Sequence, residues 1–169
     1  MNQPNPSENP GVVQKRRIFL VDDHPLVREW LGLFIERELD LMICGEAEDT
    51  KEALERIPET RPDIAVIDIT LRSSHGLDLI KELQSCMPEL PILVLSMHDE
   101  SLYAERVLRA GAKGYITKQE ATKKILVAIR QVLDGQIYLS EKMSVRMLNK
   151  LVVGRRDQQS FSIERLTDR

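Results

Sequence analysis

Residues 18–25 read IFLVDDHP and place two adjacent carboxylates directly after four apolar residues. An uninterrupted apolar run of this length is typical of a strand that is covered on both faces of a parallel sheet. A helix that begins at Pro25 could use one acid near its amino end, but it has little use for two. The pair Asp22 and Asp23 therefore indicates that other groups gather where this strand ends.

The composition is that of an ordinary globular protein. The chain has 169 residues, of which 42% are hydrophobic and 30% charged, and its net charge is −3. This length suits one compact domain with appendages, and the charge gives no general attraction to nucleic acid or to an acidic membrane. Cys44 and Cys86 are too far apart for a CxxC motif, which favours a reducing, cytoplasmic compartment. No apolar run approaches the roughly 18 residues that a membrane span needs.

Short apolar runs alternate with helical patterns along most of the chain. The runs that predict strands are residues 18–21, 41–44, 64–67, 92–95 and the weaker 114–117. One face of the first helix carries Val27, Trp30, Leu31, Phe34 and Leu39. We expect the second helix to stop before Pro58, and Gly111 and Gly135 to follow the fourth and fifth helices. Five βα units in about 120 residues predict an α/β fold, a doubly wound parallel sheet with right-handed crossovers.

The two ends of the chain depart from this alternation. Residues 1–14 are rich in Asn and Pro and predict a disordered tail before a main domain of residues 15–138. Residues 139–153 predict an additional, sixth helix with Ser140 as its N-cap and with an apolar stripe. Residues 154–169 begin with a polar stretch that is typical of a linker.

Functional groups recur at the carboxyl ends of the predicted strands. A flavodoxin-like sheet has the strand order 2-1-3-4-5, and its ligands bind beyond these ends at the switch point between the first and third strands. The residues found there are Asp22, Asp23, Asp68, Ser96 and Lys118. Three carboxylates, a hydroxyl and an ammonium group are therefore expected at one edge of the sheet.

Such a cluster of acids requires a cation. Two carboxylates ~4 Å apart repel by roughly 4 kcal/mol at an effective dielectric constant of about 20. An all-oxygen site suits Mg²⁺ or a similar hard ion. A carboxylate beside Mg²⁺, a lysine and a hydroxyl has the chemistry of phosphoryl transfer, with the carboxylate as nucleophile.

Four segments resemble the motifs of response-regulator receiver domains of two-component signalling: VDDHP, VIDITLRSSHG, VLSMHDE and RAGAKGYITKQE. DDHPLVRE and GYITKQE are similar to the NarL/FixJ subgroup, whose members usually carry a LuxR-type helix-turn-helix behind the receiver. The resemblance covers residues 16–135. The terminal LTDR looks like the first residues of that LuxR-type domain, so residues 154–169 are expected to be a linker and the start of a truncated DNA-binding domain.

The resemblance implies a role for each acid. Asp68 would be the phospho-acceptor. Asp23 and Asp68 would bind Mg²⁺ directly, together with the backbone carbonyl of Thr70. Asp22 would act on the metal through water.

The resemblance also implies a switch. Lys118 would hold a phosphoryl oxygen, Ser96 would hydrogen-bond the phosphoryl group, and Tyr115 would change rotamer with it. The chain departs from the family in three places that bear on the site. Arg72 stands where many receivers have proline, and Gln119 replaces the proline that often follows the lysine. Met97 replaces the small residue that often follows the switch hydroxyl, which would restrict access to the site.

The implied protein is a phospho-acceptor switch that assists its own phosphorylation and dephosphorylation, and not an enzyme in the ordinary sense. Its expected partners are a sensor histidine kinase and a second copy in a homodimer. DNA would be bound only through the missing C-terminal domain, because no recognition helix lies within residues 1–169. We therefore expect no sequence-specific DNA binding by this chain.

Other functions fit the residues less well. An aspartyl-nucleophile phosphatase of the haloacid-dehalogenase type would want a DxD pair on the first strand, where Asp22 and Asp23 are adjacent. A flavodoxin would need a Ser/Thr-rich loop for the phosphate of its cofactor. His24, His75 and His98 fall in loops at the same edge, but their spacing matches no transition-metal motif. A stand-alone or degenerate receiver that acts by protein–protein interaction stays open as an alternative.

Overall fold

A computed structural model describes the backbone of residues 13–164 and the side chains of residues 13–154. The strands are β1 (Arg16–Val21), β2 (Leu41–Ala47), β3 (Ile64–Asp68), β4 (Ile92–Ser96) and β5 (Gly114–Thr117). The helices are α1 (Pro25–Glu36), α2 (Thr50–Thr60), α3 (Gly76–Cys86), α4 (Glu100–Arg109), α5 (Lys118–Leu133) and α6 (Glu141–Glu164). The five strands are parallel in the order β2-β1-β3-β4-β5, which confirms the predicted fold. Most of the predicted tail, residues 1–12, and the terminal residues 165–169 lie outside the described residues.

The continuous apolar runs are buried on both faces of the sheet. Ile18 and Leu20 of β1 pack against α1 and α5, whereas Phe19 and Val21 pack against the layer of α2, α3 and α4. The same alternation holds along β3 and β4. Successive side chains of a strand point to opposite faces, so an uninterrupted apolar run serves two cores at once.

Strand β2 is longer than the predicted residues 41–44. Its register with β1 shifts between Ile18 and Phe19, which pair with Ile43 and Gly45, so that Cys44 is the extra residue of a bulge. The strand then continues to Ala47, whose carbonyl accepts a 3.1 Å hydrogen bond from the Asp22 N–H. Backbone pairing thus extends β2 past its apolar residues and holds the first acidic residue at the end of β1.

Two helix boundaries differ from the sequence-based expectation. Leu39 was predicted to lie on the apolar face of the first helix, but α1 ends at Glu36 and Leu39 is 83% exposed. Pro58 was predicted to follow the second helix, but it lies inside α2. It removes one backbone donor in the last turn. The helix persists because Ile57 is fully buried and its carbonyl accepts the Arg61 N–H at 3.1 Å.

The sixth helix is also longer than predicted. Helix α6 runs from Glu141 to Glu164 without a break, where residues from 154 onward were expected to form a linker. Gly154 is the residue in this segment that disfavours a helix, by about 1 kcal/mol relative to alanine, and no proline follows it. The linker prediction is therefore wrong for residues 154–164. Within residues 13–164, no helix is both long and apolar enough to cross a bilayer.

An ion cluster ties α5 to the turn between α1 and β2. Arg130 Nη2 lies 2.7 Å from Glu38 Oε2 and 2.8 Å from Asp40 Oδ1, and Arg130 Nε lies 3.2 Å from Asp40 Oδ2. The hydrogen bonds to Asp40 and then to Glu38 raise the pKa of Arg130, and the bond from Arg130 lowers the pKa of Asp40. The two helices on this face of the sheet are thus joined by polar contacts as well as by the core.

Gly76, the first residue of α3, lies too close to β3 to carry a side chain. A Cβ atom there would lie 2.3 Å from the Asp68 carbonyl oxygen and 2.7 Å from Ile69 Cα. Because backbone atoms cannot move aside, Gly76→Ala should lower the free energy of unfolding by about 2 kcal/mol or more, measured by urea denaturation.

Gly32→Ala is the matched control for this change. A Cβ at Gly32, inside α1, would meet nothing within 4 Å. This variant should be neutral or more stable by up to about 1 kcal/mol, because alanine is the better helix former. Equal effects of the two substitutions would contradict the close packing of Gly76 on β3.

Candidate functional site

Three acids meet at the carboxyl edge of the sheet. Asp22 and Asp23 directly follow β1, and Asp68 is the last residue of β3. They are only 2%, 8% and 3% exposed. One ligand atom from each, together with a nitrogen of His24, falls within a group whose atoms all lie within 4.8 Å of one another. The structure therefore brings together the three carboxylates that the sequence predicted, and it adds His24 while leaving His75 and His98 outside this group.

Lys118 joins two of these acids. It is the first residue of α5, and its Nζ lies 2.8 Å from Asp68 Oδ2 and 2.8 Å from Asp22 Oδ2. The contact with Asp68 has the geometry of a hydrogen bond. Burial alone would lower the pKa of Lys118, but its contacts with Asp22 and Asp68 outweigh burial and raise that pKa. The lysine therefore stays charged and neutralises one of the three negative charges.

Asp68 is held in an environment that disfavours its ionised form. Burial raises its pKa and outweighs two opposing contacts, the Lys118 hydrogen bond and the Thr70 N–H, which donates to Asp68 Oδ1 at 3.0 Å. The charge of Asp22 raises the pKa further. A cation placed beside this buried carboxylate would favour its ionised form.

The remaining carboxylate oxygens of the site fit a hard cation. Asp22 Oδ2 and Asp23 Oδ1 are buried and accept no well-aligned hydrogen bond from the described residues, although Lys118 and His24 lie near them. Unsatisfied carboxylate oxygens that converge in one place are the ligands that Mg²⁺ prefers. The residues present therefore fit the predicted metal, while the ligand role of the Thr70 carbonyl stays a prediction.

Two arginines shape the site in ways that the sequence did not reveal. Arg28 of α1 donates from Nη1 to the Asp22 carbonyl at 2.5 Å and pairs with Glu46 at 3.2 Å. The Arg72 N–H donates to Asp23 Oδ2 at 3.1 Å, and its exposed guanidinium lies 3.5 Å from the same oxygen. Arg72 stood out in the sequence only as a departure from the family, and no pattern pointed to Arg28, because both contacts depend on how the helix and the loop pack on the sheet.

Ser96 and Tyr115 form a second group, centred on His98. The Ser96 hydroxyl accepts a 3.1 Å hydrogen bond from the His98 N–H, and the Tyr115 hydroxyl donates to the His98 carbonyl at 2.8 Å. Burial raises the pKa of Tyr115 to about 12, although Ser96 lowers it in part. His98 Nε2 lies 2.9 Å from Thr70 Oγ1. His98 and Thr70 thus connect the two predicted switch residues to Asp68, and no hydrogen bond within residues 13–154 joins Ser96 directly to the acids.

The acids, the lysine and the hydroxyl lie at the switch point of a doubly wound sheet. The chain is therefore an α/β domain with a charged pocket at the carboxyl edge of its sheet. The family model described as the response regulator receiver domain matches residues 18–130. The chain belongs to this family, and its role is that of a two-component receiver.

Similar proteins agree with this assignment. The oxygen regulatory protein NreC of Staphylococcus haemolyticus is 32% identical over 137 residues, which are 80% of this chain and 63% of NreC. NreC of Staphylococcus aureus is 33% identical over the same lengths. The chain therefore spans less than two thirds of the curated relatives that it matches.

Solved structures extend the likeness. A two-component response regulator of the LuxR family from Aurantimonas sp. SI85-9A1 is 34% identical with a TM-score of 0.75, and the match covers 82% of this chain and 99% of that one. The receiver domain of the putative regulator NarL from Mycobacterium tuberculosis is 29% identical with a TM-score of 0.68, over 73% and 99%. The predicted resemblance to the NarL and LuxR regulators is confirmed.

Asp23→Ala should weaken the binding of Mg²⁺ by at least about tenfold, because loss of a group that only supports a metal ligand already costs 10–100-fold. Titration calorimetry measures the affinity directly. In metal-free buffer the same variant should be no less stable than the wild type, since it removes a charge from a repelling cluster. Asp134→Ala, an exposed acid beyond α5, is the control. An affinity within twofold of the wild type would contradict a ligand role for Asp23.

Proposed function

We propose that Asp68 accepts a phosphoryl group from a sensor histidine kinase, in a reaction that depends on Mg²⁺. The observation that carries this proposal is the 2.8 Å hydrogen bond from Lys118 Nζ to Asp68 Oδ2 inside the acidic pocket. Of the three acids, Asp68 is the one that combines this bond with the terminal position on β3. It therefore has both a fixed backbone and an ammonium group beside its carboxylate.

Each side chain of the site has its own role in the proposed phosphoryl transfer. The Asp68 carboxylate attacks phosphorus, a new P–O bond forms, and the bond between phosphorus and the donor imidazole breaks. Lys118 neutralises charge on a phosphoryl oxygen, while the Thr70 N–H keeps the carboxylate oriented. Bound Mg²⁺ would neutralise the phosphoryl oxygens, and Asp22, Asp23 and Asp68 are the residues that would hold it.

The response to phosphorylation involves the second group of residues. The Ser96 hydroxyl accepts from the His98 N–H in this structure, and its own proton becomes available to a phosphoryl oxygen when the side chain moves toward Asp68. The same movement would disturb the loop of residues 97–99 and the hydrogen bond from Tyr115 to the His98 carbonyl. We propose that this change is the signal that leaves the site.

We propose that the signal is read out by a DNA-binding domain in a longer protein. The likeness to LuxR-family regulators and the 63% coverage of NreC support a parent protein in which this receiver controls a DNA-binding domain. We propose that such a protein acts in the cytoplasm as a homodimer on paired half-sites. The chain described here would act as a switch that takes and loses a phosphoryl group, and not as an enzyme that turns over a substrate.

Acetyl phosphate with Mg²⁺ should label the chain once, on Asp68, because this carboxylate has the aligned hydrogen bond from Lys118 and is fixed at the end of β3. Intact mass followed by peptide mapping detects the label. Asp68→Asn should abolish labelling, and EDTA should suppress it in the wild type. Equal labelling of Asp68→Asn and the wild type would refute the assignment.

Ser96→Ala should separate phosphorylation from signalling. The variant should still be labelled on Asp68, because Ser96 has no hydrogen bond to the nucleophile in the resting structure. Labelling should then leave the amide exchange of residues 97–109 unchanged, whereas it changes in the wild type. Ser85→Ala, at an exposed position of α3, is the control and should respond like the wild type. A full response by Ser96→Ala would show that Ser96 does not couple the site to α4.

A further inference from the structure

Helix α6 is fastened to the first residue of α4. The Ser140 N–H donates to Glu100 Oε1 at 2.8 Å, and the Ser140 hydroxyl donates to Glu100 Oε2. The same hydroxyl accepts from the Met143 N–H at 3.2 Å, which makes Ser140 the N-cap that the sequence predicted. Glu100 thus holds the capping residue of α6 by two hydrogen bonds to a charged acceptor, which are the stronger kind.

A second contact lies further along the two helices. Lys150 Nζ is 2.6 Å from Glu105 Oε2 on α4, at the surface of the molecule. Such an exposed pair contributes little by itself, and it is screened by salt. Its position shows that α6 follows α4 for more than its first turn.

The apolar contact between α6 and the domain is narrow. Met143 is 4% exposed and packs in the same core cluster as Ala104 and Val107 of α4, while Met147 is only partly covered. The other apolar residues described on α6 are more than half exposed: Val145, Leu148, Leu151, Val152 and Val153. The backbone of Tyr138, just before α6, bonds to Lys113 and Tyr115. Beyond that anchor and Met143, the first turn of α6 is held by the two bonds from Ser140 to Glu100.

Glu100 is placed next to the second group of the site. It follows His98 by two residues, and His98 contacts Ser96 of β4, Tyr115 of β5 and Thr70 of the loop after β3. If His98 moves, either the backbone at Asp99 changes conformation or Glu100 moves with it. Asp99 caps α4 by accepting the Ser101 N–H at 2.8 Å, which makes the loop and the helix start one unit.

We infer that Glu100 is a latch that holds α6 against α4 while Asp68 is unphosphorylated. Movement of Ser96 and His98 toward a phosphoryl group shifts the start of α4, breaks the bonds from Glu100 to Ser140 and loosens the first turns of α6. Met143 and the α4 surface beneath it are then uncovered. This regulation rests on the proposed phosphorylation of Asp68, whereas the latch itself is a property of the resting protein.

Amide exchange of α6 tests the latch without any phosphoryl group. Glu100→Gln should raise the exchange rates of residues 141–147 by about tenfold, because two hydrogen bonds to a charged acceptor are weakened. Ser140→Ala should raise them as well, and the double variant should add much less than the sum of the two effects. Glu29→Gln, an exposed acid on α1, is the matched control and should leave α6 unchanged. Unaltered exchange in β1 and β3 verifies that each variant is folded.

The same measurement after treatment with acetyl phosphate and Mg²⁺ tests the coupling. The exchange of residues 141–147 should rise in the wild type toward the Glu100→Gln level, and it should stay unchanged in Asp68→Asn. Wild-type exchange in the resting Glu100→Gln variant would overturn the latch. Full labelling of Asp68 without a change in α6 would overturn the coupling and leave the proposed acceptor intact. Absence of label would overturn the acceptor and the coupling together, while the resting-state comparison decides the latch separately.

Discussion

The ammonium group of Lys118, which lies 2.8 Å from Asp22 and from Asp68, is the contact on which the arrangement of the site depends. It joins the ends of β1 and β3 to the start of α5, across the switch point of the sheet. Without a cation, the buried acids would repel one another at a place where burial already raises the pKa of Asp68. One lysine cannot neutralise three carboxylates, so the fold holds an excess of negative charge that a hard cation fits.

Most of the fold and the acidic half of the site could be predicted from the sequence. Strands buried on both faces leave continuous apolar runs, and parallel strands bring their carboxyl ends to one edge, so Asp22, Asp68 and Lys118 had to meet. Features that depend on docking could not be predicted in this way. Pro58 stays helical because Ile57 is buried, and Arg28 reaches the Asp22 carbonyl only once α1 packs on the sheet. Local residue preferences carry no information on either contact.

The switch residues illustrate a different limit. Ser96 and Tyr115 were chosen by resemblance, and the structure places both on the backbone of His98, on its N–H and its carbonyl. The side chain of His98 in turn reaches Thr70, which donates its own N–H to Asp68. A histidine in a loop is an unremarkable sequence feature. Its importance lies in the fact that both its backbone and its ring are engaged by residues from different strands.

The cluster of Arg130 with Glu38 and Asp40 has a mechanical consequence. It connects α5 to the turn after α1, which stabilises the packing of the two helices on that face of the sheet. The opposite layer ends in α4 and α6, which meet through a narrow apolar contact and a few hydrogen bonds. The layer of α1 and α5 is therefore more firmly connected than the contact between α4 and α6. For the proposed switch, we therefore expect the contact between α4 and α6 to change before the contact between α5 and the turn after α1.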